Sequence, residues 1–204
     1  MSKRNPSRTE NLRRALAQEA ARIMAEHGIR DFLVAKRKAA ERFGVTDGSA
    51  ILPKNTEIES ALAEYQRLFG GDSHVETLHG QRQAALHAMQ YLREFDPRLV
   101  GGVLSGTATE HSDIQLHLFA DYAEAVTMKL VDQGIPHEVT EKRVKMNAER
   151  VLACPAVLFE MDDQAVEATV FPTDGIRQAP VSPVDGKPMR RASAVEVEAL
   201  LDEP

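Results

Sequence analysis

Through most of the first half of the chain, apolar residues recur at helical spacing. Leu12, Leu16, Ala20, Ile23 and Met24 share one face that runs to His27, and Gly28 follows as a C-terminal stop. A second helix is expected over residues 31–43, with Phe32, Ala35, Ala39 and Phe43 on one side and Gly44 closing it. Residues 45–54 hold Gly, Pro and small polar side chains and read as a linker. Thr56 with Glu59 fits a capping box opening a third helix that carries Ile58, Leu62, Tyr65 and Phe69. Gly70-Gly71 breaks that helix. Ser73 with Glu76 makes another capping box, and Val75, Leu78, Ala85, Met89 and Leu92 form the next stripe, which Asp96-Pro97 ends.

After Pro97 the period changes. Residues 99–104 read as a short strand, and residues 114–119 alternate apolar and polar side chains as a half-buried strand does. Residues 121–133 read as a helix ending at Gly134, and residues 137–146 as a strand. Residues 156–161 and 165–171 read as a hairpin around Asp162-Asp163-Gln164. A tail over residues 173–191 collects Pro, Gly and basic residues, and Ser193 with Glu196 caps a short last helix. The expected fold class is therefore α+β. A helical domain over residues 1–95 precedes a small mixed-sheet core over residues 96–204, which includes the tail and the last helix.

Composition narrows the picture. Of the 204 residues, 43% are hydrophobic and 27% charged, which excludes a disordered or collagen-like chain. With no Trp and 5% aromatic residues, the core must come mainly from Leu, Val, Ile, Ala and Met. The single cysteine, Cys154, excludes an internal disulfide and a Cys-built metal site. It sits in the apolar context ACPAVLF and is expected to be a buried structural thiol. The first ten residues are polar and basic, without the apolar stretch of a signal peptide, and no run approaches the roughly 18 apolar residues of a membrane span. The cytoplasm, with no membrane partner, is the expected location.

The net charge of −6 argues against a wholly basic nucleic-acid binder but hides an asymmetry. Residues 1–50 hold 11 Lys+Arg against 6 Asp+Glu, a surplus of five positive charges, so the remainder must carry −11. Lys36, Arg37, Lys38 and Arg42 read as a solvated helix face. Lys187, Arg190 and Arg191 follow the core, and either remain solvated or fold back over its cleft.

The chemistry-bearing stretch is residues 101–119, GGVLSGTATEHSDIQLHLF. Its glycines allow a backbone to pass close to a bulky group such as phosphate, Ser105, Thr107 and Thr109 add hydroxyls, and Asp113 opens a strand where magnesium can be held. His117 shares a strand face with Asp113 and Gln115 and is expected at the surface. Neither a Gly-x-Ser-x-Gly elbow nor a GxxxxGK[ST] loop occurs.

These residues resemble the polymerase-beta-type nucleotidyltransferase superfamily. Its members carry a Gly-Ser pair, a Gly-Thr, then Ser-Asp-x-Asp at the start of the next strand and a third acid on a later strand. Gly101-Gly102, Gly106-Thr107, Ser112-Asp113-Ile114-Gln115 and Glu167 fall at those places, and the resemblance covers residues 97–172. It implies transfer of a nucleoside monophosphate from a nucleoside triphosphate to a hydroxyl acceptor, with RNA or a protein among the candidates. It implies Mg2+ held by Asp113 and Glu167, with Gln115 beside them in the catalytic set. Gly101, Gly102, Ser105, Gly106, Thr107 and Ser112 would cradle the nucleotide. The chain departs from the pattern at Gly102, which replaces the serine, at Gln115, which replaces an acid, and at Glu167, one carbon longer than Asp. An amide oxygen coordinates magnesium without bringing negative charge. Two alternatives stand beside this: a non-catalytic module of the same fold binding a nucleotide or a protein or RNA partner, and a coincidental motif in a helical interaction protein with a small sheet, which helix over residues 98–119 would confirm.

Overall fold

The computed structural model describes residues 6–45 and 51–202, so half of the expected linker, residues 46–50, lies outside the described residues. The chain divides into two compact units. One runs to Val75 and includes Pro183–Asp185; the other comprises Glu76–Ser182 and the chain from Gly186 on. Among the described residues no helix is long and apolar enough to cross a membrane.

The first unit is built on α1 (Pro6–His27), α2 (Phe32–Arg42) and α3 (Asn55–Tyr65). The stripe of α1 meets the other two helices, burying Leu16, Ala20 and Ile23 against Ala35, Ala39, Ile58 and Leu62. Asp31 caps α2, its carboxylate accepting the backbone N–H groups of Leu33 (2.6 Å) and Val34 (3.1 Å). The cap of α3 differs from the expected Thr56–Glu59 box. Glu57 reaches back to the Lys54 backbone N–H at 2.6 Å, which starts the helix earlier.

Gly70-Gly71 breaks the helical path as expected, with Gly71 at φ of 50° and ψ of −148°. A π-helical turn, Gln66–Gly70, leads into α4 (Gly71–Tyr91), so Ser73 and Glu76 lie inside the helix rather than capping it. The division into units falls within α4, ahead of the expected boundary at residue 95. Ala84, Ala85, Ala88 and Met89 of this helix belong to the core under the sheet.

That sheet has five strands in the order β1-β2-β5-β4-β3: β1 (Arg98–Val100), β2 (Ile114–Phe119), β3 (His137–Lys145), β4 (Val151–Met161) and β5 (Gln164–Phe171). Only β2 and β5 run parallel; the other neighbours are antiparallel. The expected strand over residues 99–104 is corrected. It stops at Val100, and Gly101–Ser105 forms a short helix, α5, whose Val103 and Leu104 are buried. Helix throughout residues 98–119, which would have marked the motif as coincidental, is not what the chain forms: β1 and β2 occupy its two ends. Asp162 and Asp163 turn the β4–β5 hairpin with φ of 52° and 60°, as a two-residue turn between twisted strands requires.

Alternation gives the sheet two different faces. Ile114, Leu116, Leu118, Val166, Ala168 and Val170 point into the main core with α4, α6 (Ala123–Asp132) and α7 (Ala194–Asp202). Each large aliphatic side chain buried there contributes about 2 kcal/mol. The opposite face carries Gln115, His117 and Phe119 from β2 beside Glu167, Thr169 and Phe171 from β5. Cys154 is buried on this second face with Phe119, Met146 and Phe171, and burial raises its thiol pKa. Ser193 and Glu196 cap α7 reciprocally: the Ser193 N–H donates to the Glu196 carboxylate at 2.7 Å, and the Glu196 N–H donates to the Ser193 hydroxyl at 3.4 Å.

Candidate functional site

The site begins where β1 turns into α5. Gly101 has φ of 73°, which an L side chain rarely adopts, and a Cβ added there would lie 2.3 Å from Oε1 of Gln115. The missing side chain is what lets the Gln115 amide lie against the turn. Gln115 stands opposite Val100 in β1 and opposite Glu167 in β5. Three of the expected residues, Gly101, Gln115 and Glu167, are therefore neighbours. Asp113 immediately precedes β2 and enters from the same end.

The loop after α5 is closed on itself. The carbonyl of Gly102 accepts the N–H groups of Gly106, Thr107 (2.9 Å) and Ala108 (3.1 Å), and a Cβ on Gly102 would press on Ala108 N at 3.2 Å. These three amides thus point into the turn rather than outward to a phosphate. The hydroxyls of Ser105 and Thr107 lie 2.9 Å apart and exposed. Ser112 accepts the Thr109 N–H at 2.9 Å, so its hydroxyl fixes the approach to β2.

Two residues of α4 that sequence reasoning did not single out support this loop. Gln81, 1% exposed, donates to the carbonyls of Thr109 (2.8 Å) and Ser112 (3.3 Å). Arg82 donates to the carbonyl of Val103 at 3.3 Å. A helical stripe search records apolar positions, and both side chains act through backbone carbonyls far along the chain.

Lys142 on β3 forms an ion pair with Glu167 across the second face. No sequence pattern marks it, since β3 carries charged residues on both of its faces. Asp113 and Glu167 are carboxylates and Gln115 carries a neutral amide oxygen, the hard oxygen donors that magnesium prefers, and Glu167 is paired with Lys142. Among the described residues no three carboxylate, imidazole or thiol groups cluster.

His117 departs from expectation most clearly. It is 6% exposed, not a surface residue, because the tail folds back and covers it. Arg191 Nε donates to His117 Nδ1 at 3.0 Å, and Arg191 Nη1 donates to the carbonyls of Gly175 (2.9 Å) and Ile176 (3.3 Å). The guanidinium carbon also lies 5.0 Å from the Phe119 ring centre and 5.3 Å from that of Phe171. Burial, and then the charges of Arg191 and Lys142, push the imidazole pKa down to about 3. Burial, and then Arg98, lower that of Arg191 to about 10. Arg191 Nη2 is buried without a hydrogen-bond partner, at a cost of about 1–3 kcal/mol.

Of the basic stripe on α2, Arg37 and Lys38 are exposed, Lys36 is half-buried, and Arg42 pairs with Glu19. In comparisons with protein-family models, curated proteins and solved structures, nothing matches this chain.

Proposed function

We propose that the chain is a divergent nucleotidyltransferase, transferring a nucleoside monophosphate from a magnesium-bound nucleoside triphosphate to a hydroxyl on RNA, a protein or a small molecule. The observation that carries this reading is the register of Gln115 with Glu167 on parallel strands, next to the side-chain-free turn at Gly101. Magnesium would supply charge neutralisation on the phosphates. Asp113 and Glu167 would hold it, with the Gln115 oxygen as a neutral third donor. Ser105 and Thr107 offer exposed hydroxyls to the triphosphate. In the transfer, the acceptor oxygen bonds to the α-phosphorus as the α–β bridging bond breaks. Pyrophosphate leaves, and the hydroxyl proton passes to solvent. The reading places the protein in the cytoplasm, with its triphosphates and magnesium.

The Lys142–Glu167 ion pair favours a second reading, nucleotide binding without transfer. The ammonium neutralises one of only two acids, and Gln115 adds no charge. Calorimetric titration of each nucleoside triphosphate, with magnesium and then with EDTA, tests both. Magnesium-dependent binding that Asp113→Asn abolishes supports a working metal site, and product formation with a candidate acceptor then separates transferase from binder. A folded sample that binds no triphosphate removes both readings.

A further inference from the structure

The strap formed by the tail brings an incompletely satisfied cation onto the second face of the sheet. Arg191 is held by one imidazole nitrogen, two backbone carbonyls and two aromatic rings, and by no carboxylate among the described residues. Its Nη2 has no partner and is sealed from solvent. A buried guanidinium is ordinarily matched by an anion, because desolvating an unpaired charge is costly.

The arginine also fixes its neighbour. A guanidinium only donates hydrogen bonds, so His117 Nδ1 must be the unprotonated, accepting nitrogen and the ring proton must sit on Nε2. The imidazole therefore presents a second donor, held neutral. Arg98 stands opposite His117 in β1 and Thr169 opposite it in β5, so a further cation and a hydroxyl-bearing residue flank the position. Lys142 adds positive charge on the same face and has Glu167 as its counter-ion. Donors and positive charge thus gather at Arg191 and His117 without a matching acceptor.

We propose that Arg191 and His117 form an oxyanion site under the C-terminal strap, in which Arg191 Nη2 and His117 Nε2–H donate to the oxygens of a phosphate group. The group is either a phosphate of the nucleotide and its pyrophosphate product, or a free inorganic phosphate. The site does not depend on the metal ligands, so it can fail or stand separately from the nucleotidyltransferase reading. Because Nη2 is sealed from solvent, the anion enters through a local opening around it, and binding is slow relative to diffusion.

The test uses the full chain and inorganic pyrophosphate in EDTA, followed by calorimetry and by 15N resonances of the Arg191 side chain and the His117 ring. Pyrophosphate should bind without magnesium. Arg191→Met should weaken it about tenfold or more, as loss of a charged hydrogen bond does, and Lys38→Met, an exposed cation on α2, should leave it unchanged. Competition by a nucleoside triphosphate would identify the nucleotide as the source, and binding without competition a free phosphate. Absence of pyrophosphate binding to folded wild-type protein, or equal binding by folded Arg191→Met, would overturn the proposal. If Arg191→Met does not fold, the wild-type resonances decide: Arg191 and His117 signals that stay unmoved at saturating pyrophosphate overturn it equally.

Discussion

Gly101 and His117 show how much of this molecule turns on single positions. An alanine at residue 101 must hold φ of 73° and also meet the Gln115 oxygen at 2.3 Å. The first effect costs about 1–2 kcal/mol. The second is relieved when Gln115 swings away, which displaces the side chain that faces Glu167. Gly101→Ala should therefore lower stability by about 1–2 kcal/mol in denaturant melts, and Gln115→Ala in the same chain should not recover that loss, because the backbone strain remains. Full recovery would mean that contact, not backbone conformation, makes glycine necessary. For His117 the sign follows from a depressed pKa. The folded chain keeps the ring neutral down to about 3, whereas the unfolded chain protonates it near 6.5. Stability from this residue is complete above that ordinary value and is lost as the pH falls toward the folded one. The charged groups on this face are Arg191, Lys142 with its counter-ion Glu167, and Arg98 opposite the ring, and Arg191 and Lys142 disfavour the charged imidazole. Between pH 7 and pH 4 the loss amounts to about 3 kcal/mol. His117→Gln keeps an oxygen acceptor for Arg191 and removes the titration. Urea melts should show the variant gaining about 3 kcal/mol on wild type over that interval, and a constant difference would contradict the buried neutral ring.

Between residue and fold, the elements show where pattern carries information and where it stops. The α1 stripe, the alternation of β2, the Asp162-Asp163 turn and the Ser193–Glu196 box are local features, and all are legible because the partner groups lie within a few residues. Helix starts are harder. Thr56–Glu59 and Ser73–Glu76 have the spacing of capping boxes, yet the chain begins α3 at Asn55 and α4 at Gly71, so both threonine and serine end up exposed on helical turns. Stability should sort them. Ser193→Ala should cost about 1 kcal/mol, while Thr56→Ala and Ser73→Ala should each change stability by less than about 0.5 kcal/mol in thermal melts. Equal losses at all three would mean that the motif, not its place in the helix, sets the energy. Residues 99–104 illustrate a different limit. A short apolar run has no period of its own, and only the positive φ at Gly101 turns its second half into helix.

On the scale of the whole chain, the site draws on residues that no local pattern joins. His117 and Arg191 are 74 residues apart, and Lys142 and Glu167 are 25 apart. The motif at residues 101–119 was legible, and the basic triplet containing Arg191 stood out. What closes over the motif depends on strand order, which places β5 rather than β3 or β4 beside β2. The same topology makes ligand effects local. The sheet unit has its own core around Leu116 and Val157, and the helical unit has another around Leu16 and Ile58. A triphosphate bound at the β1–α5 turn stabilises only the unit whose unfolding destroys that turn. At a free concentration one hundred times the dissociation constant, the gain is about 2.7 kcal/mol. Hydrogen exchange should then slow about one hundredfold at β2 and β5 amides that exchange through unfolding of their unit, with little change in α1 and α2. Equal slowing in both units would show that they unfold as one. No slowing in β2 or β5, at a magnesium–triphosphate concentration that saturates calorimetric binding, would place the nucleotide elsewhere and remove the Gly101–Gln115–Glu167 turn as its site.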